Sequence, residues 1–477
     1  MTTRNLRGGI ALGSLTATVA LLAGLSSACA QGAPGAGSFP RSFLIPGTNT
    51  SLAVYGRVLV NISSNWGSQH VTDTSPAGIG NTAFAISGLA LDGPGAGMGA
   101  GSYNGDEHAT HGGLRAQIKS TQVFFETRTP SDLGEIKTVV MMDFGALGLQ
   151  SSYVGRTTST STPSSGAGNN EVARVQFAYG TIGPWLIGQY LSAYMDPLMF
   201  TPGVGDQSQI GLVMTRNVRR PQIRYTYLAG NGVTLSASLE THTYSNLVGN
   251  LAGRPANIVS PIHEDSTDVG GITNYPSFNA GIAWTQPWGH VMTRFGIAEN
   301  EVRSSTGATI AGSRQVKMKK LGWAVEAGIM LNTWGHDQWR GLVNYSAGAD
   351  TFLTDEGDSA YIDGTTGSME QIKELAFITS YKHVFSPNWF ATAEFSMGFF
   401  NKPSNTSVLS NVASGTSNAG LAGIEKRHLQ SALSVGYMPL PGKVLISLEW
   451  DHWNRWVQAS NTSGQGNRYG LKFFFFW

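Results

Sequence analysis

The chain ends in Gly466-Asn467-Arg468-Tyr469-Gly470-Leu471-Lys472-Phe473-Phe474-Phe475-Phe476-Trp477, and this stretch decides the fold. Alternate positions carry apolar, mostly aromatic residues, namely Tyr469, Leu471, Phe473, Phe475 and Trp477. Successive side chains of a strand point to opposite faces, so the pattern predicts a strand with one wholly apolar face. An uncovered strand of this kind invites aggregation in water. In a membrane the apolar face contacts lipid, and a closed barrel leaves the strand no unpaired edge.

Both ends of the chain point to a bacterial outer membrane. The terminal strand resembles the C-terminal strand that marks outer-membrane proteins for barrel assembly. At the other end, Arg4 and Arg7 precede a mostly apolar stretch, and Ala28-Cys29-Ala30 has the small residues of a cleavage site. We expect residues 1–30 to be a signal peptide cut after Ala30, with a lipidated Cys29 as the alternative. Residues 31–49 are rich in Gly and Pro and predict a spacer without structure, and residues 50–477 form the predicted barrel.

The composition excludes several other classes of protein. Hydrophobic residues make up 41% of the 477 residues, charged residues make up 13%, and Gly numbers 61. Past residue 30, no apolar run approaches the ~20 residues that a membrane-spanning helix requires. Without Arg4 and Arg7, 29 of the 31 basic residues remain against 30 acidic residues, so bulk charge predicts no nucleic-acid partner. Cleavage after Ala30 also removes the single cysteine, which suits an oxidising compartment.

Period-two stretches bounded by turn residues predict sixteen strands, with fourteen or eighteen left open. They cover 51–62, 113–127, 135–144, 171–180, 184–194, 220–229, 233–242, 276–286, 290–299, 319–332, 338–349, 371–384, 389–400, 425–438, 443–454 and 466–477. Tight turns such as Gly230-Asn231-Gly232 alternate strictly with long connections rich in Gly, Ser, Thr and Asn. This alternation is typical of an antiparallel transmembrane β-barrel with short periplasmic turns and long external loops. We therefore predict an all-β barrel in the Gram-negative outer membrane.

Each predicted strand has an apolar and a polar face. Leu448 and Trp450 alternate with Glu449 and Asp451, so we expect the first pair to face lipid and the second to face a wet lumen. In 171–180 the predicted lipid-facing residues are Val175, Phe177 and Tyr179. Aromatic residues near strand ends predict two girdles at the membrane boundary, with a sugar-binding track as the alternative; they include Tyr55, Tyr179, Tyr190, Trp284, Trp288 and Trp389.

The long connection 195–219 differs from the others in its apolar content, which includes Leu198, Met199 and Phe200. So much apolar surface should pack against something, and in general porins the third external loop folds into the barrel. We predict that 195–219 is a constriction loop, with Asp196 and Asp206 at the constriction. A loop packed over the barrel mouth and a trimer contact are the alternatives.

Basic residues gather on the first six predicted strands. The densest run is Arg216, Arg219, Arg220 and Arg224. Five further basic residues occupy positions on the polar faces of earlier strands: Arg57, Arg115, Lys119, Lys137 and Arg174. Because these strands are neighbours, the residues predict a positive ladder opposite the loop acids, whose field would favour anions. The alternative is a set of solvated lumen charges together with rim residues that bind lipopolysaccharide.

Three stretches resemble the DcaP-like family of outer-membrane porins. They are Thr127-Arg128-Thr129-Pro130-Ser131-Asp132-Leu133-Gly134-Glu135-Ile136-Lys137-Thr138 with Asp143-Phe144, Ala173-Arg174-Val175-Gln176-Phe177-Ala178-Tyr179-Gly180 with Trp185-Leu186-Ile187-Gly188-Gln189, and Arg220-Pro221-Gln222-Ile223-Arg224-Tyr225-Thr226. The resemblance implies a trimeric porin of sixteen strands that passes small anions such as dicarboxylates. It also implies that loop-three and wall arginines bind these anions. The terminal Trp477 departs from the usual Phe.

Enzyme motifs are weak. His108 and His111 lack further placed ligands and predict no metal site, and the glycine-rich 95–101 lacks the strand–helix context of a dinucleotide loop. We predict a passive diffusion channel for small hydrophilic solutes, without cofactor, whose partners are outer-membrane lipid, lipopolysaccharide, small anions and two further copies of itself. The alternatives are a barrel enzyme of the phospholipase type and a closed barrel that serves as an adhesin or anchor.

Overall fold

The computed structural model describes residues 35–67, 111–118, 120–147, 171–200, 219–241, 247–248, 275–303, 317–348, 360–362, 369–401, 425–457 and 463–477. Sixteen antiparallel strands, numbered β1 to β16 in chain order, form one closed sheet. They are β1 (Ser51–Gly67), β2 (His111–Gln117 and Gln122–Ser131), β3 (Gly134–Leu147), β4 (Glu171–Ile182), β5 (Trp185–Leu191), β6 (Arg219–Gly230), β7 (Val233–Glu240), β8 (Ser277–Gln286), β9 (Gly289–Arg303), β10 (Lys317–Asn332), β11 (Gln338–Ala347), β12 (Lys373–Ser386), β13 (Trp389–Phe400), β14 (Glu425–Leu440), β15 (Val444–Val457) and β16 (Ser463–Phe476).

The sheet closes because β16 pairs with β1. Asn61 lies opposite Lys472 and Arg57 lies opposite Phe476, so the terminal strand has no free edge. Short turns join alternate pairs of strands. In the turn between β6 and β7, Asn231 and Gly232 have φ values of 49° and 79°, the left-handed backbone that a two-residue hairpin requires. Each of the sixteen predicted strands overlaps an observed one, and the predicted fold class is confirmed.

The two faces of the barrel differ in polarity as predicted. On β16, Arg468 and Lys472 are buried, whereas Tyr469 is 51% exposed. On β15, Glu449 is buried and Leu448 is 63% exposed. Polar side chains therefore line the inside of the barrel, and apolar side chains cover the outside. Outward aromatic residues lie near the short-turn end, as in a membrane girdle; they include Trp185, Trp284 and Trp389.

The prediction that Phe177 and Tyr179 face lipid is wrong. The pairing of β3 with β4 shifts register between Met141 and Met142, so that Gln176 is an extra residue in a β-bulge. Each residue of β4 after Gln176 therefore points to the opposite face from the one that simple alternation predicts. Phe177 consequently lies opposite Met141, which is buried on the inner face. Tyr55 and Tyr190 also lie inside rather than in a girdle: Tyr55 donates a hydrogen bond to Glu126 (2.9 Å), and the ring of Tyr190 contacts that of Phe177.

Two phenylalanines of β16 occupy inward positions, where the preceding inward residues of the strand are polar. Phe474 and Phe476 point inward and join an apolar cluster with Leu59 of β1 and Phe390 of β13. Val384, Met438 and Leu445 pack against the same cluster, which thus joins β1 to β12–β16 near the short-turn end. The inward positions are apolar here because they pack on one another rather than on water.

The predicted unstructured spacer is ordered where it is described. Phe43 and Leu44 form a short strand that pairs with Leu52 and Ser51, and the Ser51 hydroxyl accepts a hydrogen bond from the Ser38 amide (2.9 Å). These contacts hold residues 35–50 against the start of β1. Residues 1–34, including the predicted signal peptide, lie outside the described residues.

Three short strands that do not belong to the barrel sheet form a second, small sheet: Leu247–Val248, Ala360–Ile362 and Met369–Gln371. They join the long connection after β7 to the long connection after β11. Within the described ranges, no helix has the length and apolar character needed to cross a membrane.

Candidate functional site

The chain leaves the barrel wall after Leu191 and turns inward. The predicted strand 184–194 is therefore shorter than expected, because inward side chains take the backbone groups that would continue the ladder. The Gln222 amide donates to the Leu191 carbonyl (2.9 Å), and Glu240 accepts from the Ala193 amide (2.6 Å). Residues 192–200, which we call the inner segment, follow from this point.

Tyr194 attaches the inner segment to the far wall. Its side chain is fully buried against Ala298 of β9 and Ala324 of β10. Its hydroxyl accepts a hydrogen bond from the Asn344 amide of β11 (2.6 Å). A tyrosine that comes directly after β5 is thus held by three strands on another part of the barrel.

Asp196 makes the charged contact between the inner segment and β9. Its Oδ2 accepts a hydrogen bond from Arg294 Nη2 (2.6 Å) and lies 3.1 Å from His290 Nε2. The other ring nitrogen of His290 lies 2.8 Å from the Thr285 hydroxyl. Burial alone would raise the pKa of Asp196, but the His290 hydrogen bond and the Arg294 charge hold that pKa below its usual range. The carboxylate is therefore an ionised anchor.

Met199 completes the attachment through apolar contacts. It closes a short 3-10 turn, Pro197–Met199, and is buried among residues of four strands; these are Ala283, Met292, Met330 and Leu342. The Leu198 carbonyl accepts a hydrogen bond from Arg340 Nε of β11 (3.0 Å). The inner segment thus covers the inner faces of β8 to β11.

Two of the predicted ladder residues are paired with acids on their own wall. Arg174 donates two hydrogen bonds to Asp143, at 3.1 and 2.9 Å, and Lys137 lies 3.2 Å from Glu126. Both pairs join neighbouring strands. The basic residues of β3 and β4 therefore produce a weaker positive field than predicted, because acids on neighbouring strands pair with them.

The other described ladder residues make contacts with backbone carbonyls, a side-chain amide and aromatic rings. Arg220 is buried and donates to the Thr241 carbonyl (3.2 Å), and Arg224 donates to Gln222 Oε1 (2.8 Å) and to the Leu191 carbonyl. The guanidinium of Arg219 lies 5.6 Å from the centre of the Phe177 ring, and that of Arg57 lies 5.5 Å from the Phe474 ring. Arg220 and Arg224 therefore flank the point where the inner segment enters the barrel.

Some predicted site residues fall elsewhere. Lys119, Asp206 and Arg216 lie outside the described residues, and Arg115 is described only by its backbone, which pairs with Ser63. The sequence reasoning missed His290, Arg294 and Arg340. The alternation of a strand shows which residues face inward, but it does not show which part of the chain crosses the lumen to meet them.

Ion pairs also line the wall at β15 and β16. Arg468 donates to Asp451 at 3.0 and 2.8 Å, and Lys472 Nζ lies 2.5 Å from Glu449 Oε1. All four side chains are almost completely buried. Among the described residues, no group of three or more His, Cys, Asp and Glu could hold a metal ion.

A closed barrel with an apolar outer face, a polar inner face and a chain segment folded inside is the architecture of an outer-membrane channel. The family model described as the porin subfamily matches residues 41–472, so the chain belongs to that family. The outer-membrane channel DcaP of Acinetobacter baumannii has a similar fold, with a TM-score of 0.63 at 18% identity over 91% of this chain and 99% of that one.

Two other solved structures are less similar. OprB of Pseudomonas putida has a TM-score of 0.48 at 11% identity over 89% of this chain and 94% of that one. OmpT of Vibrio cholerae has a TM-score of 0.46 at 9% identity over 90% and 98% of the two chains. No curated protein sequence matches this chain.

Proposed function

We propose that this outer-membrane porin is a passive diffusion channel for small hydrophilic solutes and that it favours anions such as dicarboxylates. The observation that carries the proposal is the position of Arg220 and Arg224 beside the inner segment. The hydrogen bonds of Arg224 go to neutral oxygens of Gln222 and Leu191, and the nearby Glu240 is held by Ala193 and Ser238. A cation whose hydrogen bonds go to neutral oxygens is less fully neutralised than one in a direct ion pair, so part of its field acts on a passing solute.

The connection 195–219 narrows this channel in our proposal. The support is the anchoring of the inner segment to β8–β11 through Tyr194, Asp196 and Met199. With one wall covered, solutes pass along the remaining wall. Asp196 is the anchor of the constriction in this proposal, and Asp206 and Arg216, which lie outside the described residues, stay predicted pore residues.

We also propose that the chain assembles as a homotrimer and that its signal peptide is cleaved after Ala30. A homotrimer follows from the resemblance to DcaP-like porins, as does binding of dicarboxylates by wall arginines. Chemical crosslinking in native membranes would show a trimer band, and a monomer alone would contradict it. Cleavage after Ala30 would leave a mature protein that begins at Gln31, which intact mass measurement detects.

Planar-bilayer recording tests the channel and its selectivity. We expect ion-conducting steps and a reversal potential in a KCl gradient that shows preference for chloride. Arg224→Gln should move that potential toward cations, whereas Lys443→Gln, in an exposed turn, should leave it unchanged. A protein without conducting steps would overturn the channel, and a cation-selective wild type would overturn the anion preference.

A further inference from the structure

We propose that Arg340 of β11 and Lys382 of β12 form a second anion-binding subsite, which takes one carboxylate group of a passing solute. The subsite rests on the proposed channel function and deepens its anion preference, because it places positive charge on strands that the predicted ladder does not include. In this pair, which we call the short-turn subsite, Lys382 contacts the carboxylate and Arg340 adds charge beside it.

The two side chains point into the barrel near its short-turn end. Because the side chains of a strand alternate between faces, Arg340 shares a face with Asn344 on β11, and Lys382 shares one with Ser380 on β12. Asn344 and Ser380 are buried on the inner face. Arg340 lies opposite Ser380, and Lys382 lies opposite Gln338, where β11 begins after a short turn. Such diagonal neighbours are about 7–8 Å apart, within reach of long side chains.

Neither cation forms an ion pair with an acid in the described part of the chain. Arg340 donates to the Leu198 carbonyl from Nε (3.0 Å) and to Gln338 Oε1 from Nη2 (2.9 Å), and both oxygens are neutral. The Lys382 ammonium lies 4.6 Å from the centre of the Phe390 ring, which attracts it without adding a negative charge. Other inward cations do have acidic partners: Arg174 pairs with Asp143, Arg294 with Asp196 and Lys472 with Glu449.

One acid lies beside the pair, and it does not cancel the two positive charges. Glu394 of β13 lies opposite Ser380, in the same row as Arg340. Glu394 is 5% exposed, whereas Arg340 and Lys382 are half-buried. A solute in the lumen therefore meets the cations rather than the carboxylate, and two cations against one carboxylate leave a net positive charge.

The accessible surface of Lys382 faces the passage. The inner face of a closed barrel is accessible only from the lumen, and Lys382 is half-buried there, unlike the fully buried Lys472. Within the described ranges Lys382 makes no hydrogen bond, so its donors are open to a solute. An ammonium has three donors and binds a carboxylate through a charge-assisted hydrogen bond.

The subsite lies between the inner segment and the short-turn mouth. Met199 of the inner segment packs against Leu342, and Arg340 is the next inward residue of β11 toward the short turn. Arg340 also holds the Leu198 carbonyl at the edge of this segment. Lys382, one strand further along the wall, lies beside the covered strands β8–β11. An anion that has passed the inner segment therefore meets Lys382 next to the mouth.

The test compares substitutions of Lys382 in planar bilayers. Lys382→Gln removes the charge and Lys382→Arg keeps it. Lys443→Gln is the matched control, because it removes one positive charge at the same end of the barrel but in an exposed turn. Reversal potentials are measured in gradients of potassium chloride and of potassium succinate. Each variant is first checked for the gel mobility of the folded barrel, and Lys382→Met replaces Lys382→Gln if that variant does not fold.

We expect the chloride-to-potassium permeability ratio of Lys382→Gln to fall roughly 2-fold to 5-fold, as loss of one unit charge close to a passing ion in water predicts. The succinate-to-potassium ratio should fall by a larger factor, because succinate is a dianion and a change in pore width alone would not favour it in this way. Lys382→Arg and Lys443→Gln should stay close to the wild type.

Two results would overturn the subsite while the proposed function stands. One is an anion-selective wild type whose permeability ratios are unchanged in Lys382→Gln. The other is a Lys382→Arg channel that behaves like Lys382→Gln, since packing on Phe390 rather than charge would then be responsible. A cation-selective wild type would instead overturn the anion preference itself, and a protein without conducting steps would overturn the channel.

Discussion

Asp196 shows how a single residue can have a different role from the one its sequence context suggests. An acid in an apolar loop is predicted to line a constriction, but its carboxylate is occupied by Arg294 and His290 of β9. The charge of Asp196 therefore positions the loop. The pairing could not be predicted because the partners are nearly one hundred residues away and nothing local marks them.

The attachment of the inner segment should weaken in acid. Because the pKa of Asp196 is held below its usual range, the stabilisation is complete above the unfolded-state value of ~4 and is lost as the pH falls through the lower folded-state value. We expect open-channel current noise to rise reversibly below about pH 4. Recordings between pH 7 and pH 3 measure this.

Asp196→Asn supplies the comparison for the acid response. This variant should be noisy already at pH 7 and should change little on acidification, since the titrating group is gone. Asp132→Asn, in an exposed turn, should respond as the wild type does. Equal pH responses in Asp196→Asn and the wild type would show that another group controls the loop.

Met199 makes a second prediction at the residue scale. Met199→Ala removes a side chain buried among four strands, which should weaken docking of the inner segment by about 2 kcal/mol. The Met199 amide, bonded to the Asp196 carbonyl at 3.0 Å, should then exchange hydrogen roughly 30-fold faster. Leu198→Ala is the control, because Leu198 is 46% exposed and its loss should change exchange little. Equal protection in both variants would contradict the docking.

At the level of elements, β15 and β16 are joined by two buried ion pairs as well as by the backbone ladder. Lys472→Met should destabilise the barrel by about 3–5 kcal/mol, because it removes one partner of a buried ion pair. Glu449→Gln combined with Lys472→Met should recover most of this loss. Urea unfolding in phospholipid vesicles, followed by the mobility shift of the folded barrel in gels, measures both. A double variant no more stable than the single one would refute the coupling.

Strand positions followed from the local sequence pattern, with two exceptions. The end of β5 was misplaced because Glu240 and Gln222, on other strands, take the backbone groups of Ala193 and Leu191. The inward and outward faces of β4 were assigned wrongly after Gln176, because a β-bulge exchanges the two faces and leaves no mark in the sequence of the strand. Both errors come from contacts between strands, which alternation along one strand cannot show.

For the whole molecule, the apolar cluster inside the barrel reinforces closure near the short-turn end. Phe474→Ala should cost about 3–5 kcal/mol of stability, since Phe474 is 1% exposed and packs with Leu59 and Phe390. Phe475→Ala, on the lipid face of the same strand, should cost less because Phe475 is 45% exposed. Comparison of their urea midpoints checks this, and a larger loss for Phe475→Ala would contradict it.

The sequence by itself determined the barrel, the alternation of turns and loops, and which residues of β15 and β16 face lipid, and it predicted sixteen strands with fourteen or eighteen left open. These properties depend on the alternation of apolar and polar residues along each strand and on the residue types that tight turns require. Both can be read from short stretches of sequence. Only the tertiary structure decided that Asp196 binds Arg294, that Arg174 is neutralised by Asp143, and that Phe474 faces inward onto Leu59. Each of these contacts joins strands or loops whose registers are set when the barrel closes, so no single stretch of sequence carries them.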